Sequence, residues 1–467
     1  MPEFPLTPDF FSIAPKPRPV PKSVLGELIS AGFALAFLGV GWAYFDPDGW
    51  TLFTSRLAPL KYPAAVATGW YVASRLTGHG GRQTKLDLCA MRYVRGANRS
   101  GKTTFAMHLL HEHLDRANVW VTTHGARDVL DTLPPDVTER VIVLSPASPR
   151  TITLNLFQSH GGGQMERHLL ADLTVRLFKR LYSTSFRENM EELVYSGTSA
   201  LLEYAERARE TVTLLDLYRF LMDDGYQETV LSHVASRLVR DTFLDPEKRS
   251  VLATLRRLRR PLSSDLVLRT LADPDGFDLA RVDAETLILV CDLDKGIIGP
   301  EAAEMIAEVV TTTLQALTMR RKKDAPLVLV YLDEFQGYCN DALKEWIEEG
   351  GKRQVCVTLI HHRRGQLTEG VKQAVELCGT QYLFRQVPED CRNAAQLVGR
   401  YEPQDYAVMP SFCYIARELV HGGFRVVKRR GPSPLPSTGQ AEAIMARQPA
   451  IKARAEGRTA ARRDGKI

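Results

Sequence analysis

Nine consecutive residues constrain this chain more than any other feature: Gly96-Ala97-Asn98-Arg99-Ser100-Gly101-Lys102-Thr103-Thr104. They fit the spacing G-x-x-x-x-G-K-[ST], which describes a loop that wraps a polyphosphate. Glycines let the backbone turn tightly and bring N–H groups onto phosphate oxygens. Lys102 is placed to reach the β- and γ-phosphates, and Thr103 to offer its hydroxyl to Mg²⁺. The flanks agree. Leu86 to Val94 holds a short apolar run that reads as a strand, and Thr104 to Leu114 reads as a helix. A helix N-terminus behind the loop turns the positive end of its dipole toward the anion.

With 467 residues the chain has room for two or three domains. Its apolar and charged fractions, 44% and 25%, are those of a globular protein. A net charge of +5 is too small to establish a nucleic-acid partner. The seven cysteines are scattered, odd in number and never spaced C-x-x-C, which argues against a disulfide framework or a zinc ribbon. They read as small buried hydrophobes in a reduced compartment.

Residues 1–23 are Pro-rich and build no packed core. Residues 24–76 read as a transmembrane region of one or two helices. Leu28 to Phe45 is an uncharged apolar run of about eighteen residues, the minimum for a spanning helix, with Trp42 and Tyr44 at its far end. A weaker run from Leu57 to Ser74 contains Pro59, Lys61 and Pro63. Basic flanks outside the pair and an acidic loop between them fit a membrane hairpin with both ends in the cytoplasm. A signal peptide would instead carry the phosphate loop away from ATP.

Residues 84–162 alternate strands and helices, with strands at Val119 to Thr123 and Val141 to Ser145. This pattern implies an α/β nucleotide-binding domain with a mostly parallel sheet. Residues 163–271 carry helical periodicity throughout, including Tyr226 to Asp241 and Pro246 to Leu271, and read as an all-helical insertion. Within it Arg249, Arg256, Arg257, Arg259 and Arg260 form a basic run suited to a DNA backbone or to plain solvation. The α/β pattern resumes over 272–430. Leu327 to Leu332 is a fully apolar strand that ends in Asp333-Glu334. Such a strand is central and buried on both faces. Asp333 then belongs to the Mg²⁺ shell, and Glu334 orients and deprotonates the attacking water.

Val355 to Ile360 is the next apolar strand and runs into His361-His362-Arg363-Arg364. A strand beside the Asp-Glu strand delivers its end to the γ-phosphate, so His362 is a candidate sensor. Gln381 to Phe384 ends at Arg385, a candidate arginine finger acting in trans, with Arg363 and Arg364 as rivals. His108, His111 and His113 have no matching Cys or carboxylate set and do not read as a metal site. Residues 431–467, rich in Pro, Ala and Arg, read as a basic disordered tail.

The order of these features resembles the HerA/FtsK superfamily of P-loop ring ATPases, and within it the conjugative type IV coupling proteins of the TraG/TraD kind. The features are an apolar N-terminus, the Gly96–Thr104 loop, a helical insertion, Asp333-Glu334-Phe335, His361-His362, and Gly379-Thr380-Gln381-Tyr382-Leu383-Phe384-Arg385. The resemblance implies a RecA-like fold and an inner-membrane homo-hexamer with its ATPase domain in the cytoplasm. It implies ATP and Mg²⁺ at subunit interfaces, DNA in a channel, and relaxase or secretion-channel partners. The function it implies is a membrane-anchored, ATP-driven DNA translocase. The alternatives are a related ring ATPase for protein or phage export, or a nucleotide-switched membrane scaffold. In one place the chain departs from the family, which usually places Gln where His362 stands.

Overall fold

Apolar runs separated by helices assemble into one mixed sheet in the computed structural model, which describes residues 90–158, 163–181, 186–243, 254–257, 265–339, 343–420 and 423–450. The expected membrane region 24–76, the Pro-rich segment 1–23 and residues 451–467 lie outside them. Among the described residues no helix is long and apolar enough to cross a membrane.

The strands are β1 (Arg92–Arg95), β2 (Ala117–Thr122), β3 (Val141–Leu144), β4 (Ile288–Asp292), β5 (Val328–Asp333), β6 (Val355–His361), β7 (Thr380–Leu383), β8 (Cys413–Val420) and β9 (Gly423–Arg430). Every residue of β1, β2, β5, β6 and β7 is buried. Valine, leucine and isoleucine on both faces of β5 and β6 are what a strand covered on two sides requires. The sheet order is β3-β4-β2-β5-β6-β1-β7-β8-β9. The first seven strands run parallel, and β8 and β9 close the sheet as an antiparallel hairpin.

Register decides what meets at the sheet's carboxyl edge. Arg95 lies opposite both His361 and Leu383, and Asp333 lies opposite Ile360. The ends of β1, β5, β6 and β7 therefore finish nearly level. Ligands of open parallel sheets bind beyond such ends.

Two apolar layers cover the sheet. One is shared with the helical insertion and the long helix Pro300–Arg320. The other includes Phe105, Ala106, Leu109 and Leu110 from the helix Lys102–His111. Phe105 packs its ring against Tyr382 and Tyr414, 4.6 and 4.9 Å between centroids, and so seats that helix on β7 and β8. Trp120 stacks at 5.4 Å on its cross-strand neighbour Tyr331.

Among the described residues of 163–271 helices are the regular elements, such as Gly163–Leu181, Glu188–Ala208 and Leu214–Met222, joined by short connections. Leu173, Leu177 and Phe178 share one apolar cluster with Val309 and Val310 of the long helix. Tyr226 to Asp241 is two helices rather than the expected one. The first ends at Ser232, and Ser236 restarts the second by accepting a bond from Val239 N. A serine that caps the backbone competes with helix continuation.

The reading of 431–467 as a disordered tail is corrected for residues 431–450. Helix Ala441–Arg447 buries Ala441 and Ile444 against the second layer. The Gln448 side chain accepts from Val143 N at 2.9 Å and donates to Val141 O at 3.2 Å. It occupies the edge of β3, where the next strand of a sheet would pair.

Candidate functional site

The loop between β1 and the helix Lys102–His111 hangs between two strand ends. Gly96 N donates to His361 O at 3.4 Å, and Ala97 N donates to Arg385 O at 2.7 Å. A Cβ on Gly96 would stand 2.6 Å from Phe384 Cβ and 2.9 Å from Ser100 Oγ. Gly101 has φ +102°, and a Cβ there would meet Phe412 Cδ1 at 2.7 Å. Gly96 is thus required by space, and Gly101 by space as well as by conformation. Phe412 N also donates to Ser100 O at 2.8 Å, which ties the loop to the start of β8. Asn98 and Arg99 are exposed and Ser100 is buried. The helix starts at Lys102, so the amides of its first turn have no intrahelical acceptor and face the loop. Thr103 lies exposed on that turn.

A chain of hydrogen bonds runs across the sheet edge. Lys102 Nζ donates to Ala97 O at 3.1 Å and to His362 Nδ1 at 2.9 Å. His362 Nε2 lies 2.5 Å from Glu334 Oε1, and Gln336 Nε2 donates to Glu334 Oε2 at 2.5 Å. The tautomer follows from the partners. An ammonium only donates, so Nδ1 accepts; the proton is then on Nε2, which donates to the carboxylate.

Position and electrostatics of the two acids differ. Asp333 closes β5, and Tyr338 Oη donates to its carbonyl at 2.8 Å. Burial, reinforced by the neighbouring Glu334 charge, pushes the Asp333 carboxyl up to about 7. Glu334 leaves the strand with φ +55°, a strained value for a residue with a side chain, and its N–H donates to Ile360 O at 2.9 Å. Burial pushes its carboxyl up, but the bonds from His362 and Gln336 outweigh that and hold it below the usual range. Burial lowers the Lys102 ammonium to about 8, against the pull of Glu334 and Asp333.

The sheet thus brings Lys102, Thr103, Asp333, Glu334 and His362 to one edge. Arg385 is there too, but its carbonyl is what touches the loop, and its side chain is half-buried. Arg364 pairs with Glu376 of the same chain at 2.6 Å, and Arg363 is exposed. His361 points away from His362. It is buried, bonded to Tyr93 Oη and stacked on that ring at 5.2 Å. Of the basic run, Arg256 is exposed and Arg257 reaches Met190 Sδ at 3.2 Å, while Arg249, Arg259 and Arg260 lie outside the described residues. Among the described residues no cluster of His, Cys, Asp or Glu has a metal-holding arrangement.

Two residues of the edge escaped the sequence reading. Gln336 stands two places after Glu334 and grips its second oxygen. His124 follows β2, the strand beside β5, and is lowered by burial and by Lys295 while Glu334 pulls it up. The signal for Gln336 was its spacing within Asp333-Glu334-Phe335-Gln336; His124 needed the strand order.

No protein-family model matches the chain, and no curated protein matches it. Solved structures do. The bacterial conjugative coupling protein TrwBdeltaN70, in its unbound monoclinic form, superposes with a TM-score of 0.57 at 15% identity, covering 77% of this chain and 88% of that one. The plasmid coupling protein TrwB in complex with ADP and Mg²⁺ gives 0.54 at 15% identity over 76% and 89%. VirB4 of Thermoanaerobacter pseudethanolicus gives 0.53 at 13% identity over 73% and 89%. At these identities the likeness is one of fold, and it is the fold expected from the motifs.

Proposed function

We propose that this chain is an Mg²⁺-dependent ATPase of the type IV secretion kind, a motor that moves DNA, working from the fold it shares with TrwB and VirB4. The observation that supports this most is the hydrogen-bonded path from Lys102 to Glu334, which joins a phosphate-gripping amine to a carboxylate through one imidazole.

The donor set fits a nucleoside triphosphate with Mg²⁺. The loop amides from Asn98 to Thr104 and the third hydrogen of Lys102 hold phosphate oxygens, while those of Gly96 and Ala97 seat the loop on His361 O and Arg385 O. Thr103 and Asp333 hold the metal, directly or through water. When bound, the metal neutralises charge on the β- and γ-phosphates. Each oxygen of Glu334 accepts one bond from the protein and keeps a free lone pair, so the carboxylate can orient a water and take its proton. The positive φ at Glu334 aims this carboxylate off the strand and over the edge. Rate gain here comes from positioning and electrostatics rather than from a covalent intermediate.

DNA contact belongs in this reading to the basic run around Arg256 and Arg257, through phosphates and without sequence preference. Anchoring by residues 24–76, a hexameric ring and an arginine finger from a neighbouring copy are the finer parts of the same proposal. The test is ATP turnover by the full chain, with and without single- and double-stranded DNA, beside Lys102→Ala and Glu334→Gln. Expected is turnover raised by DNA and reduced at least about 100-fold in both variants. Turnover indifferent to DNA would favour protein handling, the second reading, which the fold likeness to VirB4 also accommodates. Tight nucleotide binding without turnover would sink both.

A further inference from the structure

An imidazole stands between Lys102 and Glu334, and the sheet order gives its place. β6 lies between β1, which leads into the phosphate loop, and β5, which leads into Glu334. The residue after β6 is therefore the one interposed between amine and carboxylate. Its chemistry is fixed by its neighbours: an acceptor toward Lys102, 2.9 Å away, and a donor toward Glu334, 2.5 Å away. Glu334 is otherwise held by Gln336 on its second oxygen, by the bond from its own N–H to Ile360 O and by Gly337 N on its carbonyl. None of these reaches Lys102. Nor does Lys102 need His362 to meet a phosphate. It spends one hydrogen on Ala97 O and one on His362, and the third remains.

Resting on the reading of this edge as an ATPase site, we propose that His362 is a positioning residue. It is a rigid spacer that fixes Glu334 relative to Lys102 by accepting at Nδ1 and donating at Nε2, and it contributes to turnover without contributing to nucleotide grip. Binding and hydrolysis then separate at this position. Removing the ring leaves the loop amides and Lys102 in place, while Glu334 loses the contact that sets its distance from the phosphate-gripping amine. Displacements of about 1 Å in such positioning cost about 100-fold in rate. A glutamine offers an amide oxygen to accept and an amide nitrogen to donate, so it restores the spacer in kind. A phenylalanine keeps the ring and supplies neither group.

The experiment uses the full chain with His362→Phe, His362→Ala and His362→Gln. Affinity is read with a fluorescent non-hydrolysable ATP analogue, turnover with ATP and Mg²⁺, and the ring nitrogens of the histidines by NMR. Expected is affinity within about threefold of the parent in all three. Turnover falls about 100-fold in His362→Phe and His362→Ala and returns to within about tenfold in His362→Gln. A nitrogen pair with the proton on Nε2 vanishes in His362→Gln and shifts in both Lys102→Ala and Glu334→Gln. Parental turnover in His362→Ala overturns the inference, as does affinity that falls in step with turnover. If the parent chain itself turns nothing over, the ATPase reading falls. The spacer is then judged by the nitrogens, and a His362 signal indifferent to Lys102→Ala overturns it.

Discussion

Gly96 has space for a hydrogen and nothing larger, since Phe384 and Ser100 stand where a methyl would go. Gly96→Ala is expected to push the loop off its seat between His361 and Arg385. Overpacking of this kind costs about 1–3 kcal/mol of stability. Nucleotide affinity should fall at least about tenfold while the circular dichroism stays that of the parent; unchanged affinity would refute the seating argument. A second residue-scale prediction concerns acid. Burial, with Arg92 and Arg116 nearby, draws His113 from an ordinary 6.5 down to about 4. Between those values the unfolded chain holds a proton that the folded chain refuses. Stability therefore falls as pH drops from 6.5 toward about 4, and it is recovered as pH rises through that window. Melting temperatures taken in pH steps should fall less steeply in His113→Gln, and equal slopes would remove His113 as a cause. At this scale the sequence was most legible where a motif demands a residue type, at Lys102, Thr103, Asp333 and Glu334. It was least legible at Gln336, marked only by its spacing after Glu334, and at His124, which reaches the site only because β2 and β5 are neighbours.

At the scale of elements, the apolar strands could be read because burial on both faces demands unbroken Val, Leu and Ile. The packing of residues 431–450 could not. It is spread over few groups: Ala441 and Ile444 are buried, and Thr438 Oγ1 donates to Asp131 O at 2.8 Å and to Leu133 O at 2.7 Å. Composition rich in Pro, Ala and Arg conceals a segment that holds by hydrogen bonds at separate points. Its end has a clear physical task. β3 is an outer strand, and an open edge recruits other chains. Gln448 covers it with an accepted and a donated bond and is itself 3% exposed. Gln448→Ala leaves Val143 N and Val141 O without these partners, which costs about 1–3 kcal/mol. A chain ending after Gly431 should lose Gln448's part of the cover and keep only the bonds from Ile152 N and Thr151 Oγ1 to Val143 O, and so melt earlier and form higher oligomers in size-exclusion chromatography. A truncated chain that melts and elutes like a well-behaved parent would show that β3 needs no cap.

At the scale of the molecule, the helical insertion leaves the sheet after β3 and returns before β4, while the phosphate edge is built on β1, β5, β6 and β7. The long helix Pro300–Arg320 connects the two. It meets the insertion through Arg320 and Glu166, 2.6 Å apart, and runs toward β5, whose far end is Asp333. The turn between helix and strand is held by Arg321. Its fork takes both oxygens of Asp283 at 2.8 Å, and its remaining hydrogens reach Arg353 O, Gln354 O and Pro326 O at 2.7, 2.9 and 2.6 Å. The turns entering β5 and β6 are thus pinned by one guanidinium, and those strands carry Glu334 and His362 at their other ends. Nothing in the Arg320-Arg321-Lys322-Lys323 run marks Arg321 out, because four adjacent cations look alike until the helix end turns one of them inward. Arg321→Ala takes one donor from three carbonyls and two from a carboxylate, and of the carbonyls Gln354 O keeps Val328 N. The Asp283 side chain remains 36% exposed and keeps water, so the loss should be about 2 kcal/mol, below that of a fully buried pair. Arg321→Lys should rescue little of it, since an ammonium cannot make the planar fork. Urea unfolding reads both, with the midpoint lowered and the slope unchanged if the native packing is otherwise intact. A lysine variant as stable as the parent would mean that charge alone holds the turn. An alanine variant as stable as the parent would mean that the strands are registered without it.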